Sequence, residues 1–197
     1  GVVGGQSLPA GLAHFLEHKL FEKADHDAFD LFGELGADSN AFTSFTQTSY
    51  LYSTTSNFRE NLEVLLDFVQ TPYFTAQTVA KEIGIISQEI KMYNDNPDSR
   101  LYMGMMGNLY PHDPLADDIA GTEESIKTIT PELLYQTHAA YYRPEYLTLQ
   151  VAGNLDPAET LAWIEQNQVA KQFAAPLKEP LTFIPADPSG HDLLPYR

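Results

Sequence analysis

A chain of 197 residues with 43% hydrophobic content can bury one sizeable core, as one large domain or a domain with a tail. Its 27 acidic against 11 basic residues give a formal charge of −16. That argues against a nucleic-acid partner and an anionic membrane surface, both of which are held by clustered Lys and Arg, and is compatible with a peptide substrate. With no cysteine there is no disulfide, no thiolate metal site and no Cys nucleophile, and no run of 18 apolar residues predicts membrane insertion. A cytoplasmic location is the expectation. The chain opens Gly1-Val2-Val3-Gly4-Gly5 without Met or a visible signal peptide, as a piece of a longer protein would.

After Pro9-Ala10-Gly11, an apolar run predicts a helix over 12–21, with Leu12, Leu16 and Leu20 at i, i+4, i+8 facing a core. Asp25 is expected to cap a second helix to about Leu35, ended by Gly36. The Thr-, Ser- and aromatic-rich stretch 38–56 predicts one or two strands. Asn57 is the expected cap of a helix from Phe58 to about Gln70, closed by Pro72. Thr75 is the expected cap of a long helix to about Tyr93, broken by Asn94-Asp95-Asn96-Pro97. Further helices are predicted over 98–109, from Thr130-Pro131 to about Tyr142, and from Asp156-Pro157 through Trp163. Between the last two, 146–152 predicts a strand ended by Gly153-Asn154. From about Gln168, repeated prolines suggest a linker or irregular tail. Several helices with few strands make an α+β domain, assigned to 1–165, with 166–197 as linker or the start of the next domain.

Within the first helix, His14 and His18 are four residues apart, so both imidazoles lie on one face, one turn apart, and can share a metal ion. Glu17 adjoins them and can act on a water without binding the metal. This is the inverted zinc-helix motif. Neutral imidazoles leave the charge of zinc uncancelled, zinc acidifies water toward a pKa of about 7, and a carboxylate takes the proton. A catalytic zinc needs a third protein ligand. Glu82 and Glu89, seven apart on the long helix, share a face but stand about 10 Å apart along its axis. One can bind the metal and the other can support its neighbours, and spacing alone leaves open which.

His14-Phe15-Leu16-Glu17-His18, followed by Lys19-Leu20-Phe21-Glu22, resembles the pitrilysin/insulinase family of zinc metallopeptidases. Gly36 through Ser44 looks like that family's Asn-Ala-x-Thr strand, and Glu82 through Tyr93 like its acidic helix. Gly121-Thr122-Glu123 through Thr130 and the stretch ending at Gly153-Asn154 also match, so the resemblance spans 9 to about 165. It implies a pitrilysin/mitochondrial-processing-peptidase-like (LuxS/metallohydrolase-like) domain, with helices on a mostly antiparallel sheet. It implies Zn²⁺ on His14, His18 and Glu89, with Glu17 as general base and Glu82 as the supporting glutamate. It places Asn40, Ala41 and Phe42 on the edge strand that receives an extended peptide.

The expected activity is that of a zinc endopeptidase on extended or unfolded peptides. The alternative is a non-catalytic, partner-binding subunit. Finer features over 18–23 and 88–97 resemble the bacterial YmfH-like members, which are associated with elongation factor P modification alongside a second homologous protein. A homologous peptidase-like partner or a homodimer is therefore expected. Family domains begin with strands before the zinc helix and repeat the fold in a second half. Only eight residues precede Pro9 here, so the domain is expected to be incomplete at its N-terminus and part of a larger enzyme, inactive by itself. His26, His112, His138 and His191 are expected at the surface or at helix ends.

Overall fold

The computed structural model describes Val2, Val3 and residues 6–173. Two short strands, β1 (Val2–Val3) and β2 (Gln6–Ser7), pair antiparallel. Helix α1 (Leu12–Phe21) and helix α2 (Ala28–Glu34) lead into the hairpin β3 (Asp38–Thr43) and β4 (Thr48–Ser53). Then come α3 (Phe58–Gln70), α4 (Ala76–Asp95), α5 (Pro97–Leu109), the short α6 (Glu123–Ile126), α7 (Pro131–Tyr141) and α8 (Pro157–Val169). All strand pairing among the described residues is antiparallel, and helices dominate, which is the expected α+β architecture.

The core forms around α1. Phe15, Leu16 and Leu20 are almost fully enclosed, and they pack with Phe32 of α2, Phe68 of α3, Ile86 of α4 and Leu134 of α7. Removing one such side chain from water is worth roughly 1.5–3 kcal/mol. An aromatic cluster joins this core to the hairpin: the rings of Phe21 and Phe68 lie 4.8 Å apart, and those of Tyr50 and Phe68 5.5 Å apart.

The start of α1 is fixed by backbone contact. Gly11 has φ 86°, and a Cβ there would lie 2.5 Å from the Ala120 carbonyl oxygen. Gly121, φ 77°, faces Ala10 in the same way, and Ser125 Oγ donates to the Ala10 carbonyl at 2.8 Å. Only glycine permits this approach and this φ. The contact ties the 118–121 loop to the first turn of α1.

Several expectations are corrected. The second helix begins at Ala28 and is capped by Asp27, whose carboxylate accepts from Phe29 N at 2.8 Å. Asp25 instead pairs with His26, because residues 22–27 close a tight turn through Lys23 N→His26 O. Asn57 occupies the cap position of α3 but has φ 51°, and its side chain donates to Leu35 O rather than accepting from the helix. His138 lies at a helix end, as expected, in the last turn of α7, and is buried there with Nε2 2.9 Å from the Val69 carbonyl at the end of α3. His191 and the tail beyond 173 lie outside the described residues.

The predicted strand over 146–152 does not form. A 3-10 turn occupies Pro144–Tyr146, and Leu147, Leu149 and Val151 stay exposed. No strand among the described residues pairs with this stretch, and an extended segment without a partner leaves its backbone groups to water. Two elements were not foreseen: the β1–β2 pair, two residues per strand, and α6, a single turn closed by a Thr122–Ser125 capping box.

Candidate metal centre and catalytic cleft

Two helices build the centre. α1 brings His14, Glu17 and His18 to one side. α4, capped by Thr75 and Thr78, buries Val79, Ile86 and Ile90 and thereby turns Glu82 and Glu89 toward α1. Hairpin β3–β4 closes the third side. The resulting cleft of about 420 Å³ is lined by His14, Glu17, His18, Glu89, Ala41 and Phe42, among others.

His18 Nδ1–H donates to Glu82 Oε1 at 3.0 Å, which leaves the Nε2 lone pair facing Glu89 Oε2, 3.8 Å away. His14 Nε2 lies 3.7 Å from Glu89 Oε1. Both separations are too long for hydrogen bonds. His14 Nδ1 is also buried without a partner among the described residues, so this ring has no satisfied polar atom although its side chain is only 12% exposed. Such a ring is costly unless something occupies the space it faces. Ligand atoms of His14, His18 and Glu89 all lie within 4.8 Å of one another. A tetrahedral zinc with ligands near 2.1 Å would hold them roughly 3.4 Å apart. Two imidazoles and one carboxylate, slightly open, fit zinc in both donor type and spacing.

The electrostatics separate the two histidines. Burial, then the neighbouring His18, lowers the pKa of His14, against the raising effect of Glu89, Glu17 and Asp118. Burial also pulls His18 down, but the Glu82 hydrogen bond and the charges of Glu82, Glu89 and Glu17 outweigh it and leave His18 raised. Glu82, 8% exposed, thus fixes the tautomer of His18 and increases its basicity.

Glu17 is 7% exposed, and its Oε2 accepts from Thr43 Oγ1 at 2.5 Å. Of the strand residues, Ala41 and Phe42 line the cleft. Ser44 N→Gln47 O sets the hydrogen-bonded register of the hairpin, so pairs 42↔49 and 40↔51 exchange backbone bonds, while the N–H and C=O of Ala41 point away from β4. Among the described residues no strand pairs with that edge, which can receive an added strand. Asn40 does not line the cleft, and its Oδ1 accepts from Ala41 N at 2.8 Å, covering the edge donor.

Among the cleft residues to which the sequence reading gave no role, three matter most. Tyr93, one turn beyond Glu89, lines the cleft, and its pKa is raised first by burial and then by the Glu89 charge. The i+4 spacing was a usable signal. Thr43 lay two residues from Ala41 on the same strand face, also a usable signal. Asp118 enters from a loop tied to α1 only in three dimensions, so no pattern announced it.

Comparison with known proteins follows the same lines. Residues 7–123 match the family model described as insulinase (peptidase family M16), and residues 128–193 match the one described as peptidase M16 inactive domain. The chain is 55% identical over 166 residues to the zinc protease YmfH of Bacillus subtilis (strain 168), covering 84% of this chain and 39% of that protein. It is 31% identical to a zinc protease of Rickettsia bellii (strain RML369-C), covering 79% and 39%. Its fold resembles the crystal structure of an M16-like peptidase from Alicyclobacillus acidocaldarius, with TM-score 0.85 and 43% identity over 89% of this chain and 42% of that one. The chain therefore spans about two fifths of the length of these relatives.

Proposed function

Because the chain belongs to the insulinase family of peptidases, family M16, we propose that it carries the metal-binding and water-activating residues of a zinc endopeptidase acting on extended peptides. The observation that carries this reading is the convergence of His14, His18 and Glu89 on one point, with Glu17 in the same cleft and a free strand edge beside it.

His14, His18 and Glu89 would hold zinc, which when bound supplies a Lewis acid that polarises a peptide carbonyl and acidifies water. The chain's own residues do the rest. The edge of β3 around Asn40, Ala41 and Phe42 aligns the peptide backbone, and the Asn40 carboxamide yields the Ala41 N–H to a substrate carbonyl. Glu17, enclosed by α1 and β3, takes the proton of the attacking water and returns it to the departing amine. Glu82 keeps Nε2 of His18 directed inward. Recognition through backbone edges places few demands on sequence, which suits extended or unfolded peptides. The match of 128–193 to an inactive-domain model favours a supporting role for that part, such as holding a homologous half.

The test is Glu17→Gln in the protein carrying this chain, with zinc measured alongside hydrolysis of an unstructured peptide. The variant should retain zinc and lose about 10²–10⁴-fold in kcat, the range of a general base. Undiminished cleavage would overturn the mechanism, and a purified protein that retains no zinc would overturn the site.

A further inference from the structure

Alternation along β3 places Ser39, Ala41 and Thr43 on the face toward α1 and leaves Asp38, Asn40 and Phe42 outward. Thr43 ends the strand, directly across from Thr48. Its Oγ1 lies 2.5 Å from Glu17 Oε2 and 3.2 Å from Thr48 Oγ1. A hydroxyl has one proton and two lone pairs, and a carboxylate can only accept. The proton of Thr43 is therefore committed to Glu17, and Thr48 donates to Thr43. Deeper in the core, the Tyr142 hydroxyl is 2.8 Å from that of Tyr50, and both phenols are buried. Two threonine hydroxyls, on a hairpin packed against this aromatic core through Tyr50, thus end on one oxygen of Glu17.

The need for such an anchor follows from the side chain itself. The terminal torsion of glutamate is broad, with no staggered wells to fix the carboxylate plane. Among the described residues no Lys or Arg forms an ion pair with Glu17 that could fix it instead. With Oε2 held by Thr43, rotation is blocked and Oε1 is the oxygen left to face the cleft.

We infer that Thr43 is a positioning residue for the reaction: its hydroxyl orients the Glu17 carboxylate so that one oxygen is presented to the attacking water. The inference rests on the reading of Glu17 as general base. Because Thr43 belongs to the strand that would receive the peptide, base and substrate share one frame of reference, and a peptide docked on β3 is registered against the oxygen that must act on it.

The test compares Thr43→Val and Thr43→Ser in the zinc-loaded protein carrying this chain. Valine keeps the shape and the β-branched fit to the strand but loses the hydroxyl. Serine keeps the hydroxyl. Thr43→Val should lower kcat about 10- to 100-fold, the penalty of a misplaced group, with KM within about twofold and zinc content unchanged. Thr43→Ser should stay within about threefold of the wild type. If valine perturbs folding, Thr43→Ala provides the same comparison against serine. A Thr43→Val protein turning over at the wild-type rate, a serine variant falling as far as valine, or a rise in KM alone would overturn the inference while leaving the hydrolytic reading intact. A zinc-loaded wild type that cleaves no peptide overturns that reading, and the inference with it.

Discussion

Helices α1 and α5 look alike as sequence and behave oppositely as structure. Both carry apolar side chains at helical spacing: Leu12, Leu16 and Leu20 in α1, and Leu101, Met105 and Leu109 in α5. In α1 the row is enclosed, and even Glu17 and Lys19 are buried, with Lys19 paired to Glu22. In α5 only Met106 is buried, and Leu101 is 72% exposed. The difference lies in their neighbours. α1 is surrounded by α3, α4, α7 and the hairpin, whereas α5 touches chiefly α4 and the 3-10 turn at Pro114–Ala116. Periodicity specifies which face is apolar, and tertiary packing decides whether that face is covered. His14, Glu17 and His18 sit on the more enclosed helix, where neighbours can hold a carboxylate and two imidazoles in place.

Three substitutions would break or sharpen this contrast. The largest expected effect is Phe15→Ala in α1. Phe15 is fully buried in the same helix as His14 and His18, so the variant should lose about 3–5 kcal/mol of unfolding free energy in urea titration. A loss below about 1 kcal/mol would mean that the core around α1 collapses easily and that its rigidity is not what holds the site. Next is Glu82→Ala, which removes the acceptor of the His18 Nδ1–H. Zinc affinity, measured against a competing chelator, should fall about 10- to 100-fold, or roughly 1.4–2.8 kcal/mol. An unchanged affinity would show that His18 is oriented by packing alone. The smallest is Leu101→Ser on α5, expected to change stability by less than about 0.5 kcal/mol. A cost above about 1 kcal/mol would show that this face is covered in the whole protein, and the contrast with α1 would belong to the chain in isolation.

Much of the local structure was legible. The limits of α1 and the ends of α3 and α5 follow from apolar spacing and from Gly, Pro and capping residues. Apart from Asp25, which lost its cap role within a local turn, the misreadings share a cause. Asn57 has the right type for a cap, but its backbone lies at φ 51° and its side chain is turned to donate to Leu35 O at the end of α2. His138 sits at a helix end as expected, but its burial depends on a carbonyl supplied by the end of α3. The stretch 147–152 alternates as convincingly as β4, yet β4 has β3 beside it and 147–152 has no strand beside it among the described residues. Each error concerns a group whose partner is remote in sequence.

The candidate site divides along the same line. His14, Glu17 and His18 are one turn of helix, and their mutual placement follows from 3.6 residues per turn without any tertiary information. That five-residue spacing determines which groups one face presents: two imidazoles able to share a metal ion and a carboxylate beside them. Helical spacing also put Glu82 and Glu89 on one face. It did not assign their roles, because the choice between them depends on where α4 crosses α1. The fold settles their contacts, with Glu82 bonded to His18 Nδ1 and Glu89 facing both Nε2 atoms. Nor could spacing show that Thr43, 26 residues from Glu17, donates to its carboxylate, or that a loop locked by Gly11 and Gly121 brings Asp118 into the cleft. Local periodicity fixes what a single element presents. Which elements meet is decided by the burial of the core they share, and that is a property of the whole fold.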